Sequence, residues 1–247
     1  AMDGFDLLIL GFMLSLISGD LGLTTGQAGS LVTWTLVGAV IGGFIFGTLS
    51  DKFGRVRVLT WTIVLFAVFT GLCAFAQGYW DLLIYRTIAG IGLGGEFGIG
   101  MALAAEAWPA QHRAKATSYV AIGWQLGVLA AALLTPVLLP YIGWRGMFMV
   151  GIIPAFVAWF FRAKLHEPEI FVQSKEIKEY SHTNSFKLLV KDVRTTKTSI
   201  GVAVLTSVQN FGYYGIMIWL PNFLSKQLGF SLTKSGLWTA VTVCGMM

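Results

Sequence analysis

Long runs of apolar residues, interrupted by short polar segments, extend over almost the whole chain. A helix that crosses the apolar core of a bilayer needs about 20 such residues, at a rise of about 1.5 Å each. The pattern therefore predicts an all-α membrane protein with seven spans and part of an eighth. The predicted spans are 2–18, 26–49, 58–77, 80–107, 115–139, 146–163, 198–224 and 235–247. The first and last runs are short, so we expect both to be parts of longer helices.

The composition excludes an ordinary soluble domain. Of the 247 residues, 55% are hydrophobic and 12% are charged, whereas a typical soluble domain is about 25% charged. A soluble core in a chain of this size does not bury so much apolar surface, so we expect lipid to solvate part of it. Cys73 and Cys244 both lie in apolar runs without metal-ligand spacing, which predicts free thiols and no metal site.

The basic residues predict the orientation in the membrane. Thirteen of the 17 Lys and Arg lie in the segments that follow predicted spans 2, 4 and 6. Cytoplasmic loops carry such an excess, so we expect these segments and the N-terminus to face the cytoplasm from the plasma (inner) membrane. The net charge of +5 is then an orientation signal, and we expect no nucleic-acid partner.

A long polar segment and an internal repeat predict the domain organisation. Residues 164–197 are expected to form a cytoplasmic linker between a six-helix bundle, 1–163, and an incomplete second bundle, 198–247. Leu21-Gly22-Leu23-Thr24 and Leu228-Gly229-Phe230-Ser231 lie 207 residues apart, before predicted spans 2 and 8. At the same offset Gly29 corresponds to Gly236. The repeat predicts a six-plus-six architecture, of which the chain contains the first half and the beginning of the second.

Three acids within predicted spans are candidate proton sites, because a charge at mid-membrane costs roughly 2.5–3.5 kcal/mol even on lenient scales. Asp3 and Asp6 share one helix face. Two carboxylates that face one cavity repel each other, which favours proton uptake. The alternative for Asp3 is a favourable interaction with the helix dipole. Glu96 is a third candidate, and its alternative is a structural hydrogen bond to a neighbouring helix.

Arg86 is a basic residue within a predicted span. Its guanidinium could bind a substrate carboxylate through two hydrogen bonds, or pair with an acid and release it during transport. The alternative is an ion pair that fixes helix packing. Span 7 places Gln209, Asn210 and Tyr213 together, which suits a cavity for a small polar ligand or, alternatively, an interfacial belt. Gln125 in span 5 is a further candidate, whereas we expect its neighbour Trp124 to serve packing.

Glycines cluster in spans 2 and 4, where small residues let helix backbones approach closely. We expect them to form packing surfaces, and sliding of these helices would be one route to a change in access. The residues are Gly38, Gly42, Gly43 and Gly47 in span 2, and Gly90, Gly92, Gly94, Gly95, Gly98 and Gly100 in span 4.

The loop between spans 2 and 3 reads Gly47-Thr48-Leu49-Ser50-Asp51-Lys52-Phe53-Gly54-Arg55-Val56-Arg57. It resembles the signature loop of the major facilitator superfamily at every specified position, and the glycines that follow Arg86 are similar to the family's span 4 motif. The resemblance implies the major facilitator fold. It also implies a conformational gate in which this loop holds the cytoplasmic side closed. The implied gate residues are Gly47, Asp51, Gly54, Arg55 and Arg57, together with Glu106 and Arg113 as a similar latch.

Three further segments resemble proton symporters of organic acids within that superfamily. They are Asp3-Gly4-Phe5-Asp6, Gly94-Gly95-Glu96-Phe97 and His166-Glu167-Pro168-Glu169. The resemblance implies a monomeric secondary transporter in the lipid bilayer, with a small organic anion as substrate, a proton as coupling ion, no cofactor and no enzymatic reaction. The alternatives are a sugar or polyol porter and a transport-dead sensor on the same fold.

Overall fold

The computed structural model describes residues 2–162, 190–217, 219, 223, 224, 229 and 231–246. Helices form almost all of this part of the chain, as the apolar pattern predicts. They are α1 (Met2–Asp20), α2 (Thr25–Phe53), α3 (Arg55–Cys73), α4 (Tyr79–Ala107), α5 (113–142), α6 (144–162), α7 (Val193–Met217) and α8 (Leu232–Cys244), with a short 3₁₀ turn at Ala110–His112. Helix α7 begins five residues earlier than predicted. Most of the proposed linker, including His166-Glu167-Pro168-Glu169, lies outside the described residues.

Glycines in left-handed backbone conformations separate two pairs of helices. Gly143, with φ 65° and ψ 178°, interrupts an otherwise continuous helical segment and divides α5 from α6. Gly54, with φ 111°, is the single residue between α2 and α3. A side chain makes such positive φ values unfavourable, so glycine permits both sharp reversals.

The two copies of the predicted repeat have similar backbone geometry in front of a helix. Gly22 and Gly229 have φ values of 63° and 65°. Two residues later, Thr24 and Ser231 are the N-caps of α2 and α8, and each accepts a hydrogen bond from the third residue of its helix. The corresponding sequences thus start the second helix and the last helix in the same way.

Helices α2 and α4 pack backbone against backbone through four glycines. A Cβ atom at Gly38 or Gly42 would collide with the carbonyl oxygens of Thr87 and Ile91 in α4. On the facing side, a Cβ at Gly90 or Gly94 would collide with the carbonyl oxygens of Thr35 and Ala39 in α2. Each pair of glycines is spaced by four residues, so each forms one face of its helix. The predicted packing surface is confirmed at these positions.

Other glycines differ in their surroundings. Gly92 packs against Thr62 and Phe66 of α3, where a Cβ would approach main-chain atoms to 2.8 Å. The prediction is wrong for three members of the set, because a Cβ there would meet no atom within 4 Å; they are Gly47, Gly98 and Gly100. Gly98 continues the four-residue spacing of Gly90 and Gly94 along α4, so the close contact with α2 ends before Gly98 is reached.

Four helical segments of the described part are long and apolar enough to cross a membrane. They are Thr25–Phe53, Arg55–Cys73, Tyr79–Ala107 and Ala110–Ile153, and the last contains the break at Gly143. Large apolar side chains such as Phe44, Val68 and Phe156 point outward and are more than half exposed. An aqueous surface would disfavour such groups, whereas lipid would solvate them.

Candidate functional site

A fully buried ion pair joins α1 to α4. Arg86 Nη2 lies 2.8 Å from Asp6 Oδ2, and Arg86 Nη1 donates to Asp6 Oδ1 at 3.0 Å. Arg86 is 0% exposed and Asp6 is 1% exposed. The contact from Nη1 to Oδ1 is a hydrogen bond, whereas Nη2 and Oδ2 are close enough for an ion pair but do not form a hydrogen bond.

The surroundings of this pair are almost entirely apolar. Thr70 of α3 donates a long hydrogen bond of 3.5 Å to Asp6 Oδ1. The ring of Phe148 in α6 lies 5.7 Å from the guanidinium carbon. Among the described residues, Arg86 Nε has no hydrogen-bond partner. The pair therefore relies on its own two members for neutralisation, and separating them would leave a charge in a dry site.

This geometry bears on two of the sequence predictions. The carboxylate of Asp6 is neutralised by the guanidinium of Arg86, which the prediction of two mutually repelling acids did not include. Of the roles predicted for Arg86, the structure contains the pairing with an acid. A substrate carboxylate would reach Arg86 only after the Asp6 contacts open, so direct recognition by Arg86 stays a prediction.

Asp3 and Glu96 are also buried, at 5% and 8% exposure. Asp3 lies in the first turn of α1. Glu96 lies on α4, ten residues or about 15 Å beyond Arg86. Their predicted roles as proton sites stay predictions, as does that of Asp6.

An aromatic cluster connects α4, α5 and α7. The ring of Phe97 meets the ring of Trp124 edge to face, with centroids 5.9 Å apart. Trp124 Nε1 donates to the hydroxyl of Tyr213 at 3.3 Å. Tyr213 in turn packs edge to face on Tyr214 at 5.5 Å. The sequence interpretation treated Trp124 as packing alone and so missed this hydrogen bond, which α7 makes to a helix 89 residues away in the chain.

The remaining predicted binding residues lie around this cluster. Gln125 follows Trp124, and its Oε1 is buried without a hydrogen-bond partner in the described part of the chain. Gln209 and Asn210 lie one turn before Tyr213 on α7, and both are exposed. The structure thus brings Gln125 and Tyr213 onto neighbouring helices, and their predicted contact with substrate stays a prediction.

Arg55 ties together the cytoplasmic ends predicted for α2, α3 and α4. It donates to both carboxylate oxygens of Glu106, from Nη2 at 3.1 Å and Nε at 3.3 Å. It also pairs with Asp51 and donates to Ser50 Oγ at 2.7 Å. The signature loop therefore holds three helix ends through one guanidinium.

The latch predicted between Glu106 and Arg113 does not occur. Glu106 pairs with Arg55, whereas Arg113 is exposed and makes a long hydrogen bond of 3.4 Å to the carbonyl of Trp108. Arg113 begins the next helix, beyond the 3₁₀ turn. Arg113 is closer to Glu106 in sequence, but the sharp reversal at Gly54 places Arg55 closer to Glu106 in space. Sequence distance therefore failed to identify the partner of Glu106.

A second polar cluster, missed by the sequence interpretation, lies at the opposite ends of the helices. Asp20 Oδ2 accepts from Arg145 Nη1 at 2.6 Å and from Trp144 Nε1 at 3.0 Å. Arg145 Nη2 also donates to the carbonyl of Ala76, at 3.2 Å. We call Asp20, Trp144 and Arg145 the outer cluster. The signal was available, since Trp144 and Arg145 directly follow a glycine at a predicted helix boundary.

A family model described as the Major Facilitator Superfamily matches residues 1–247. The chain belongs to the major facilitator superfamily. The resemblance drawn from the loop at Gly47 to Arg57 is thereby confirmed, and so is the all-α membrane fold.

Two relatives and one solved structure show how far the similarity extends. A Haemophilus influenzae protein assigned to metabolite transport is 80% identical over 100% of this chain and 62% of its own length. The cis,cis-muconate transport protein of Acinetobacter baylyi is 32% identical over 100% of the chain and 60% of its own length. The xylose transporter XylE from E. coli, in a partially occluded inward-open conformation, matches with a TM-score of 0.76 at 20% identity, over 98% of this chain and 65% of that one. The chain thus spans about three fifths of these relatives.

Membership of the major facilitator superfamily explains why large apolar side chains point outward from the helices. The helices of this fold lie in a bilayer, and the chain is a multi-pass membrane protein. Against that background the buried Asp6–Arg86 pair is unusual, since charged groups inside a membrane are rare and are associated with function.

Replacing Glu106 by glutamine is expected to destabilise the protein by about 1–2 kcal/mol, because Arg55 loses a charged double acceptor. The matched control is Arg113→Gln, which removes a charge from the same end of the bundle but disturbs one long hydrogen bond. Thermal unfolding in detergent measures both variants. Equal losses in the two would contradict the assignment of Arg55 and Glu106 as the tie.

The outer cluster predicts a pH dependence. The hydrogen bond from Arg145, followed by that from Trp144, holds the pKa of Asp20 below its ordinary value, which is about 3.9. A carboxylate with a lowered pKa stabilises the folded state above the unfolded pKa, and this contribution disappears as the pH falls through the folded value. We therefore expect Asp20→Asn to lower the unfolding temperature at pH 7 and to lower it less at pH 3. A difference from wild type that stays constant with pH would refute this.

Proposed function

We propose that this chain is part of a proton-coupled carrier, which moves a small organic anion together with a proton by alternating access. The observation that supports this most is the buried ion pair of Asp6 and Arg86. The proposed cycle makes and breaks no covalent bond of the substrate, so we infer that the protein is not an enzyme. Two six-helix halves would rock about a central site, of which the described residues form one wall.

The ion pair has the chemistry that a proton switch requires. While Asp6 is ionised, it neutralises Arg86 and the two side chains stay together. When Asp6 takes up a proton, its attraction for the guanidinium weakens, and Arg86 becomes available to an anion. Binding of a proton and binding of an anion then favour each other, and this mutual dependence is what symport needs.

The substrate class is supported by chemistry and by one relative. A planar guanidinium matches a carboxylate, and the Acinetobacter baylyi relative is named for cis,cis-muconate, a carboxylate anion. We propose that Gln125, Gln209, Asn210 and Tyr213 contact the substrate from α5 and α7. Asp3 and Glu96 are further proposed proton sites.

The proposed setting follows from the charge distribution. The protein would be a monomer in the inner membrane, with its N-terminus and the segment 164–197 in the cytoplasm. The gate residues Asp51, Arg55 and Glu106 would then hold the cytoplasmic side closed in one state.

The test is uptake into proteoliposomes that contain the full-length carrier. A panel of carboxylates and neutral sugars is presented with and without an imposed pH gradient. We expect accumulation of at least one carboxylate that depends on the gradient and is inhibited by other carboxylates. Uptake of sugars alone would contradict the proposal and indicate that the protein is a sugar porter. Uptake of a carboxylate at the same level without the gradient would show that transport is not coupled to protons.

A further inference from the structure

We propose that Trp124 is the coupling residue of the carrier, which transmits the state of the acid-bearing helices α1 and α4 to α7 in the second half. The inference rests on the proposed proton-coupled transport and adds a residue to it. Trp124 is a positioning residue in this proposal: it acts through Gly4, Phe97 and Tyr213, and it neither carries the proton nor binds the substrate.

Trp124 contacts α1 between its two acids. A Cβ atom on Gly4 would lie 2.5 Å from the carbonyl oxygen of Trp124 and 3.0 Å from Val128. Helix α1 therefore crosses α5 backbone to backbone at Gly4, which lies between Asp3 and Asp6. At so close a crossing the two helices have little freedom to move independently, so a shift of α1 that accompanies opening of the Asp6–Arg86 pair displaces Trp124.

The indole ring contacts α4 beside the third acid. The edge-to-face contact with Phe97, at an interplanar angle of 78°, restricts the orientation of the ring. Phe97 directly follows Glu96, so a rotation of α4 that moves Glu96 also moves the face against which Trp124 rests. Trp124 thus contacts α1 between Asp3 and Asp6 through its main chain, and α4 beside Glu96 through its side chain.

The N–H of the Trp124 indole contacts α7, which belongs to the second half of the proposed carrier. Residues 200–212 of α7 are all exposed, and burial begins at Tyr213 and Tyr214, followed by the buried Met217. Helix α7 therefore meets the first six helices at this pair of tyrosines. The hydrogen bond from Trp124 Nε1 to Tyr213 is directional, so it depends on the relative position of the two halves.

The experiment separates coupling from packing and from substrate binding. Full-length carrier in proteoliposomes is assayed with the carboxylate that the uptake panel selects. The assays are equilibrium binding, exchange without a gradient, and accumulation driven by a pH gradient. Trp124→Phe retains an aromatic ring and removes the N–H. We expect it to lower gradient-driven accumulation at least tenfold, with binding and exchange within about twofold of wild type. Trp80→Phe, at an exposed tryptophan at the start of α4, is the matched control and should leave all three unchanged.

A second variant distinguishes loss of the hydrogen bond from misfolding of Trp124→Phe. Tyr213→Phe removes the same hydrogen bond from the other side and is expected to lower accumulation at least as much; because Tyr213 is also a proposed substrate contact, binding and exchange are judged in Trp124→Phe. The double variant should be no worse than Tyr213→Phe alone, because one hydrogen bond is shared. In Trp124→Phe, parallel losses in binding, exchange and accumulation would overturn the proposal in favour of packing, and weaker binding with unchanged accumulation would overturn it in favour of substrate contact. If wild-type carrier shows no gradient-driven uptake, the proposed function itself fails, which is a different result.

Discussion

Asp6→Asn is expected to destabilise the protein by about 3–5 kcal/mol and to abolish proton-driven accumulation of substrate. The variant leaves the guanidinium of Arg86 charged in a site where it is 0% exposed, and an uncompensated buried charge carries a penalty of this order. Arg86→Gln should have an effect of similar size, because it leaves Asp6 without its cation. Thermal unfolding in detergent and uptake in proteoliposomes measure the two consequences.

The double variant Asp6→Asn, Arg86→Gln distinguishes stability from function. Two neutral amides in place of the ions remove the unpaired charge, so the double variant should recover much of the stability that either single variant loses. It should recover none of the proton-driven accumulation, because the titratable group is absent. Asp20→Asn is the matched control, the same substitution on the same helix at a side chain that is about half exposed, and it should have a much smaller effect. Accumulation by the double variant at the wild-type level would exclude the pair from proton coupling.

Alanine at Gly42 or Gly94 is expected to prevent correct packing of α2 against α4. A Cβ at either position would collide with a main-chain carbonyl, of Ile91 or Ala39 respectively. A side chain in the way can change rotamer, whereas a carbonyl moves only with its helix. The loss should therefore exceed the roughly 1–3 kcal/mol of ordinary overpacking, and we expect little folded protein.

Two other glycines in α2 and α4 provide controls, because alanine there is expected to leave stability unchanged or to raise it. Gly47→Ala in α2 and Gly98→Ala in α4 add a methyl group where no atom lies within 4 Å. Alanine is favoured over glycine within a helix by roughly 0.5–1 kcal/mol, so these variants should unfold at the same or a slightly higher temperature. The yield of monodisperse protein on size-exclusion chromatography, followed by thermal unfolding, gives the comparison. Normal folding of Gly42→Ala would show that the two helices do not pack as described.

The glycine contacts also change the expected mechanism. The sequence suggested sliding between α2 and α4 as a route to a change in access. The four interlocked glycines oppose sliding, because each occupies a specific gap in the facing backbone. We therefore expect α2 and α4 to move as one unit, with the change in access occurring between halves.

The sequence by itself determined the class of protein, the helices and the family. Apolar runs of about 20 residues leave few alternatives to spanning helices, and the loop from Gly47 to Arg57 identified the superfamily. The sequence also selected Asp6 and Arg86 as unusual, because ionisable residues in an apolar run are detectable without knowledge of their neighbours in the fold.

Only the tertiary structure decided which of these residues are partners. Asp6 and Arg86 are 80 positions apart, Glu106 pairs with Arg55 and not with the nearer Arg113, and Trp124 reaches Tyr213 across 89 positions. An apolar pattern specifies that a helix lies in the membrane, but its rotation and its neighbours depend on packing against other helices. The same holds for the glycines: the sequence shows a cluster, and the crossing of α2 and α4 determines that Gly42 and Gly94 are enclosed while Gly47 and Gly98 are open.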